Sequence, residues 1–233
     1  MAKKTRIVDY TDVPETLEGH PFYGLELDDE QKAFRDAIWS QDKDIVFCNS
    51  ASGTGKTTIA TAAANLLVKY GRCDGIVYIS SPVQEAKQGY LKGSLSEKSA
   101  PYASAFYDAL MKIGVNINTV TYEDIMNEKN GTAYIQAVTH TFLRGVNFEN
   151  KACIIDESQN FYFDELKKVL TRMHDSCKVI VIGHTKQCDL YYNPERSGFA
   201  KYLDFFSQFD RCAICNLTKN YRGWISNAAD SLE

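Results

Sequence analysis

The sequence lacks any long apolar run, and this lack excludes a helix that spans a membrane. A spanning helix needs roughly 18 or more consecutive apolar residues, and no stretch of the 233 residues approaches that length. The opening run MAKKTRIVDY also lacks the apolar core of a signal peptide. The sequence therefore predicts a cytoplasmic protein with no membrane partner.

A paired cysteine framework is missing as well. The seven cysteines are an odd number, and Cys48, Cys153 and Cys212 fall in apolar runs that are typical of buried strands. This distribution fits a reducing compartment better than a secreted fold held by disulfides. Cys212 and Cys215 form a C-x-x-C pair within RCAICNL, but no second cysteine or histidine pair lies nearby to complete a zinc site. We interpret the pair as part of a strand.

The sequence has no excess of basic residues. It contains 26 lysine and arginine residues against 30 aspartate and glutamate residues, for a net charge of −4. This balance excludes a generally basic coat for nucleic acid, although a local basic patch is compatible with it. The length and the 44% hydrophobic content are those of one large globular domain. We predict an extended N-terminal arm over 1–24 and a single domain over 25–233, with an inserted segment around 81–145.

What the sequence does contain is an alternation of short apolar strands and amphipathic helices. Predicted strands cover 44–48, 75–80, 152–156, 178–183 and 212–217, with two less regular ones at 119–122 and 133–139. Predicted helices cover 27–40, 56–70, 104–113, 164–173, 198–206 and 225–232. Such alternation indicates an α/β fold with a mostly parallel sheet and helices on both faces. Ligands of such sheets bind at the carboxyl ends of the strands.

The clearest motif is the run SASGTGKT at Ser50–Thr57, between the first predicted strand and the following helix. Its two glycines let the backbone curl around phosphate oxygens without side-chain clashes. The helix N-terminus adds partial positive charge, Lys56 can reach the β- and γ-phosphates, and Thr57 can ligate Mg²⁺. The motif predicts an ATP-binding phosphate loop whose contacts come from Ser52, Gly53, Thr54, Gly55, Lys56, Thr57 and Thr58.

A second motif ends the apolar run ACIIDE at Ala152–Glu157. Two adjacent carboxylates at the end of a buried strand are costly unless a positive charge lies close, and Mg²⁺ supplies that charge. We predict that Asp156 holds Mg²⁺ together with Thr57, and that Glu157 orients and deprotonates the attacking water. The alternative interpretation is a solvated strand end without a ligand.

Three further residues are candidates by position, each with a plain alternative. Gln187 follows the strand KVIVIG, where it would sense the γ-phosphate through a water or lie on the surface. Gln31 precedes the first strand, where it would read the adenine edge or be a solvated helix residue. Arg222 follows the last predicted strand, where it would contact the γ-phosphate or be exposed. We assign Glu157, Gln187 and Arg222 to catalysis and Gln31 to ATP binding.

Taken together, these motifs resemble the PhoH-like ATPases, which are similar to the first motor domain of superfamily-one helicases. The resemblance runs from about Leu27 to Asn220. Beyond GTGKT it is carried by SPVQEAKQGYLKGSLSEKSAPY at 81–102, FLRGVNF at 142–148, IIDESQN at 154–160 and LTRMHDSCKVIVIGHTKQCDL at 170–190. The resemblance implies a RecA-like P-loop NTPase fold. It also implies that Arg144, Arg172, Asn160 and Gln187 belong to the nucleotide or coupling site.

The chain departs from the family pattern at several positions. Ser50 replaces the first glycine of the loop, which is compatible with the motif if the backbone there is not left-handed. Ser81 stands where the family has arginine, and His184 where it has aspartate. LTKNYRG at 217–223 is closer to a helicase motif than to the usual family ending. These departures indicate a divergent member of phage type, which would act in the host cytoplasm.

The resemblance implies an ATP hydrolase whose turnover is coupled to single-stranded nucleic acid, with RNA favoured over DNA. Lys87, Tyr90, Lys92 and Lys98 in the loop Gln84–Lys98 suit phosphate contacts and base stacking, with a solvated loop as the alternative. A second function class stays open, namely an ATP-dependent switch or binding module that acts through a protein partner. Stimulation of ATP turnover by single-stranded RNA separates the two classes.

A single motor domain lacks the second domain that helicases close around ATP. The sequence and the resemblance therefore predict a homo-oligomeric ring, with a hexamer favoured and ATP at the interfaces. One of Arg172, Arg196 and Arg211 would then be the arginine supplied in trans, and the sequence leaves the choice among them open.

Overall fold

The structure, a computed structural model, describes residues 13–82, 100–143, 145–186, 190 and 196–230. These residues form a six-stranded sheet in the order β3-β2-β4-β5-β1-β6, in which every neighbouring pair of strands is parallel. The strands are β1 (Ile45–Ser50), β2 (Gly75–Ser80), β3 (Ile135–Thr139), β4 (Lys151–Ile155), β5 (Lys178–Gly183) and β6 (Cys212–Leu217). The α-helices are α1 (Asp29–Trp39), α2 (Lys56–Lys69), α3 (Ser104–Lys112), α4 (Ile125–Asn130), α5 (Phe163–Leu170), α6 (Phe199–Phe206) and α7 (Trp224–Asp230).

The central strands are apolar on both faces, as a parallel sheet covered by helices requires. Along β1, Val46 and Cys48 face one core, whereas Ile45 and Phe47 face the other. The first core is completed by α1, α2 and α3, and the second by α5 and α6. The alternation of successive side chains explains why these strands are continuous apolar runs in the sequence.

All the carboxyl ends of the strands lie along one edge of the sheet, which we call the carboxyl edge; the opposite one is the amino edge. β1 and β4 do not pair with each other, because β5 lies between them. The loop after β1 and the acidic residues after β4 therefore lie at the same edge, on either side of the residues that follow β5.

The predicted α/β class with a parallel sheet and helices on both faces is confirmed. The bounds of β2, β5 and β6 agree with the predicted ranges, and Cys212 and Cys215 both lie on β6. The strand predicted at 119–122 is wrong, because Ile117–Thr119 form a 3₁₀ turn and Thr121 makes an isolated bridge to Ile135. The side chain of Asn116 accepts a hydrogen bond from the backbone N–H of Asn118, and such local bonds compete with a strand ladder.

The described parts of the predicted N-terminal arm and of the predicted inserted segment both pack against the sheet and its helices. Within 13–24, Leu17 and Phe22 are buried in the first core, and Trp39 Nε1 donates to the carbonyl of Pro14 at 3.1 Å. The described part of the segment around 81–145 supplies α3, α4 and the edge strand β3. Among the described residues, no helix has the length and apolar content to cross a membrane.

Candidate nucleotide-binding site

The loop between β1 and α2 has the backbone of a phosphate loop. Gly53 and Gly55 have φ angles of 79° and 84°, in the left-handed region that side chains disfavour. Gly55 directly precedes α2, so the helix N-terminus opens onto the loop. Ser50 is the last residue of β1, pairs with Leu217 and has no positive φ. The serine is therefore compatible with the motif, because its backbone does not require glycine.

Side chains inside the loop fix its shape. Thr54 Oγ1 lies 3.2 Å from both Ser50 Oγ and the carbonyl oxygen of Ala51, as a donor. Lys56 is buried, and its Nζ donates to the carbonyl of Ala51 at 3.4 Å. The ammonium group therefore lies over the loop instead of in solvent, which suits contact with phosphate oxygens that enter there.

Thr57 and Asp156, predicted as Mg²⁺ ligands from two separate motifs, are in contact. Thr57 Oγ1 donates to Asp156 Oδ2 at 2.9 Å. The hydroxyl of Tyr78 donates to the same oxygen at 2.9 Å, and the backbone N–H of Glu157 donates to Oδ1 at 2.7 Å. A hydroxyl and a carboxylate are the hard oxygen donors that Mg²⁺ prefers. The residues present therefore fit a magnesium ion that is shared with nucleotide phosphates.

The electrostatics of Asp156 also favour a cation. The residue is 1% exposed, and this burial raises the pKa of its carboxyl group above the usual value. The negative charge of Glu157 raises that pKa further, whereas Lys56 lowers it. A nearby cation stabilises the ionised form of such a carboxylate.

Glu157 is exposed at the start of a strained turn. Its φ of 47° and ψ of 43° lie in the left-handed region, which is uncommon for a residue with a side chain and recurs at active sites. Gln159 Nε2 donates to Glu157 Oε2 at 2.5 Å, and Gln159 Oε1 accepts from the backbone N–H of His184 at 3.1 Å. Gln159 therefore connects the predicted base to the end of β5.

The chain that follows β6 lies over the phosphate loop. The backbone N–H of Tyr221 donates to the carbonyl of Gly53 at 2.9 Å, and Arg222 Nη1 donates to Ser52 Oγ at 2.7 Å. A Cβ atom added to Gly53 would lie 2.4 Å from Asn220 Oδ1. The structure thus places Arg222, which the sequence singled out by position alone, against the loop.

Gln31 also lies at the loop, but its side-chain amide is engaged at both ends. Its Nε2 donates to the carbonyl of Thr54 at 2.9 Å, and its Oε1 accepts from the backbone N–H of Asp28 at 3.2 Å. These bonds join the start of α1 to the phosphate loop. Each end of the amide keeps one further hydrogen-bonding position, and reading the adenine edge stays a prediction.

Arg172 is not brought to the nucleotide site of its own chain. Helix α5 begins after the acidic motif and runs back from the carboxyl edge, and Arg172 follows its end. The carbonyl of Arg172 accepts from the backbone N–H of Phe148 at 2.9 Å, where the chain approaches β4 at the amino edge. The phosphate loop lies at the opposite edge of the sheet.

Of the remaining predicted residues, some lie near the phosphate loop or the acidic motif, and others lie outside the described residues. Thr58 lies in the first turn of α2, and Asn160 lies in the 3₁₀ turn Ser158–Asn160 beside Glu157. Arg144, Gln187 and the loop Gln84–Lys98 lie outside the described residues, so their predicted roles remain predictions.

Three residues that the motif analysis did not single out contact the site, namely Tyr78, Gln159 and Asn220. Tyr78 gives no signal in the sequence, because it is one aromatic residue within the apolar strand GIVYIS. Gln159 lies inside IIDESQN and Asn220 inside LTKNYRG. For Gln159 and Asn220, the sequence signal for a place in the site was that each lies within a motif.

Comparison with known proteins agrees with this geometry. The family model described as PhoH-like protein matches residues 26–222. The chain belongs to this family. A PhoH-like protein of Synechocystis is 32% identical over 181 residues, and Protein PhoH of Escherichia coli K12 is 32% identical over 184 residues, each covering 77% of this chain. A PhoH-like protein of Bacillus subtilis is 32% identical over 176 residues, or 75% of this chain.

The PhoH-like chain spans about half the length of these curated relatives, namely 52%, 49% and 52%. Among solved structures, the large terminase of bacteriophage HK97 aligns with a TM-score of 0.51 and 13% identity, over 89% of this chain and 43% of the terminase chain. At that identity the likeness concerns the fold. The family and the fold together give this PhoH-like chain a P-loop NTPase fold.

Replacement of Gly53 by alanine is expected to abolish nucleotide binding while the chain stays folded. The new Cβ would lie 2.4 Å from Asn220 Oδ1 and 2.9 Å from Arg222 Cγ, and a left-handed backbone costs alanine roughly 1–2 kcal/mol. The loop or the segment over it must therefore shift. Titration with a fluorescent ATP analogue measures the affinity, and thermal unfolding monitors the fold.

Gly19→Ala is the matched control for this substitution. Gly19 also has a positive φ, of 70°, but an added Cβ would meet no described atom within 4 Å. Equal nucleotide affinities of the two variants would show that the close approach between the loop and the chain after β6 plays no part in binding.

Replacement of Tyr78 by phenylalanine is expected to raise the Mg²⁺ concentration for half-maximal nucleotide binding about tenfold, the usual effect of losing an outer-shell partner of a metal ligand. The lost hydroxyl no longer orients Asp156, whereas the ring keeps its stacking on Phe106 at a centroid distance of 4.6 Å. Tyr134→Phe is the control, because the hydroxyl of Tyr134 bonds Asn65 instead. A Mg²⁺ requirement that is unchanged in Tyr78→Phe contradicts the orienting role.

Proposed function

We propose that this chain hydrolyses ATP with Mg²⁺. The observation that carries the proposal is the 2.9 Å contact between Thr57 Oγ1 and Asp156 Oδ2. These two oxygen donors come from the loop after β1 and the strand end of β4, which β5 separates. Their meeting point beside Lys56 and the N-terminus of α2 suits a metal-bound triphosphate.

Each residue of the site has a separate role in the proposed reaction. Lys56 and the backbone N–H groups of the loop hold the phosphates, and Thr57 and Asp156 would hold Mg²⁺, which neutralises charge on the phosphate oxygens. Glu157 accepts a proton from the attacking water while the water oxygen forms a bond to the γ-phosphorus. The bond from that phosphorus to the bridging oxygen breaks, and ADP and phosphate leave. Arg222, now bonded to Ser52, is within reach of the loop for contact with the γ-phosphate.

The family membership and the resemblance to superfamily-one helicases support a finer proposal, in which ATP turnover is coupled to single-stranded nucleic acid, with RNA favoured over DNA. The likeness to a phage terminase concerns only the fold and does not choose between these nucleic acids.

A second candidate is an ATP-dependent switch that acts through a protein partner. One observation favours it, namely that the chain after β6 is bonded to the loop through Tyr221 and Arg222. Phosphates that enter the loop would compete for these groups and displace the segment, which precedes the exposed residues Trp224 and Ile225 of α7.

Steady-state ATP turnover with two variants tests the hydrolase. Lys56→Ala is expected to lose nucleotide binding and turnover together, because the phosphate contact is lost. Glu157→Gln is expected to keep nucleotide affinity and lose at least about 100-fold in turnover, since it retains shape but cannot accept a proton. Wild-type turnover in Glu157→Gln would remove Glu157 from the catalytic role.

Addition of single-stranded RNA or DNA homopolymer to the same assay separates the two candidates. Stimulation of wild-type turnover by RNA supports the coupled motor. Slow turnover that neither nucleic acid stimulates supports the switch.

We also propose that the chain forms a closed ring, with a hexamer favoured, in which one subunit supplies an arginine to the next. Such an arginine must lie away from the loop of its own chain, and Arg172 and Arg211 both do. Arg211 directly precedes β6 at the amino edge, where its exposed side chain pairs with Asp44. Arg196 is exposed just before α6. Light scattering after gel filtration with ATP and Mg²⁺ is expected to give a multiple of the 26.3 kDa chain mass; a monomer under these conditions overturns the ring.

A further inference from the structure

A second pocket, of about 380 Å³, opens between the end of β3 and helix α5. We call it the β3–α5 pocket. Its walls are His140, Thr141 and Leu143 from the chain after β3, and Glu165, Lys168 and Arg172 from α5 and its end. None of these residues belongs to the phosphate loop or to the acidic pair.

The pocket has positive charge available for a ligand. Among the ion pairs formed by the described residues, none involves Lys168 or Arg172. The carboxylate in the pocket, Glu165, is engaged by His140, whose Nε2 lies 3.2 Å from Glu165 Oε1. Lys168 on α5 and Arg172 just beyond its end both line the pocket, so they can contact the same extended anion.

An exposed aromatic ring belongs to the same short chain segment as two residues of the pocket wall. Phe142, between two wall residues of the pocket, is 43% exposed. Sites for single-stranded nucleic acid combine rings that stack on bases with cations that contact phosphodiester groups. A small anion would use the cations alone and leave Phe142 without a partner.

The position of the pocket brings it close to the acidic motif. The ring of His140 packs against Phe161 with a centroid distance of 5.1 Å. Phe161 directly follows the 3₁₀ turn that contains Gln159, the residue that contacts Glu157. A ligand bound in the pocket would therefore lie one short chain segment away from Glu157, the predicted catalytic base.

We propose that the β3–α5 pocket binds the backbone of single-stranded nucleic acid, with Lys168 and Arg172 on phosphates and Phe142 stacked on a base. The inference rests on the proposed coupling to nucleic acid and names its binding site. It also gives Arg172 a role in place of the nucleotide contact that the resemblance implied.

Lys168→Glu tests the proposal through the affinity of the full chain for fluorescently labelled oligo(U), measured by anisotropy over a range of salt concentrations. The dissociation constant is expected to rise about tenfold, and the slope of log affinity against log salt to fall by about 1, because a phosphate contact that releases counterions is lost. Basal ATP turnover is expected to stay at the wild-type value. Arg172→Glu is expected to weaken oligo(U) binding in the same direction.

Lys112→Glu is the matched control, because Lys112 is likewise an exposed lysine in the last turn of a helix, α3, on the opposite face of the sheet. Thermal unfolding checks that the variants stay folded. Wild-type affinity and an unchanged salt slope in Lys168→Glu would overturn the proposal. So would equal weakening by Lys112→Glu, which would make the effect one of total charge.

Two further outcomes separate this pocket from the hydrolase. If the wild-type chain hydrolyses ATP but binds no oligo(U), the pocket proposal fails and the hydrolase stands. If oligo(U) binds through Lys168 but no ATP is hydrolysed, the hydrolase fails and the pocket stands. Release of oligo(U) by inorganic phosphate at matched ionic strength would reduce the pocket to a small-anion site and overturn the assignment.

Discussion

Asp156 is a carboxylate buried at the end of a central strand, and the geometry of the site depends on keeping it ionised there. An isolated buried charge costs several kcal/mol, whereas each hydrogen bond to a charged group returns about 1.5–3 kcal/mol. The donors are Thr57 from the phosphate loop, Tyr78 from β2 and the backbone of Glu157. One buried oxygen pair therefore fixes the loop, the sheet and the acidic turn relative to one another. In the proposed hydrolase, Lys56 and Mg²⁺ would complete the charge balance, so the same constraint would favour a metal-bound polyphosphate.

The parts of the site that the sequence predicted are those whose chemistry is local. The glycines of the loop, the start of α2 and the acidic strand end are each contained in one short run, so composition and spacing were sufficient. The short apolar runs gave β2, β5 and β6 their observed bounds for the same reason. Arg172 and Tyr78 depended on tertiary geometry instead. The direction of α5 takes Arg172 to the amino edge, and strand order places Tyr78 beside Asp156; neither fact is written in a local pattern.

Gln31 and the strand predicted at 119–122 show two further ways in which local patterns were insufficient. A glutamine at the start of α1 has an amide that can face a ligand or its own chain, and in the structure both ends of that amide are bonded to the protein. At the start of the segment 119–122, the backbone N–H groups of Thr119 and Val120 bond the carbonyls of Asn116 and Ile117, so a turn forms where the sequence predicted a strand. In both cases the outcome was decided by which hydrogen-bond partner was available, a property of the folded chain.

In the proposed coupling, the short segment from Glu157 to Phe161 connects the nucleotide site to the nucleic-acid site. At one end Gln159 holds Glu157 and is itself bonded to His184; at the other, Phe161 packs on His140 in the wall of the β3–α5 pocket. Gln159 holds Glu157 through Oε2, so a movement of this turn redirects the other carboxylate oxygen, Oε1, which can orient a water on the γ-phosphate. A bound nucleic-acid strand that shifts His140 changes the packing of Phe161, and this changes the free-energy cost of that movement. Coupling then needs no long pathway, because it is sufficient that each ligand favours a different arrangement of one strained turn. The free energy that each ligand contributes equals the difference between its binding free energies for the two arrangements.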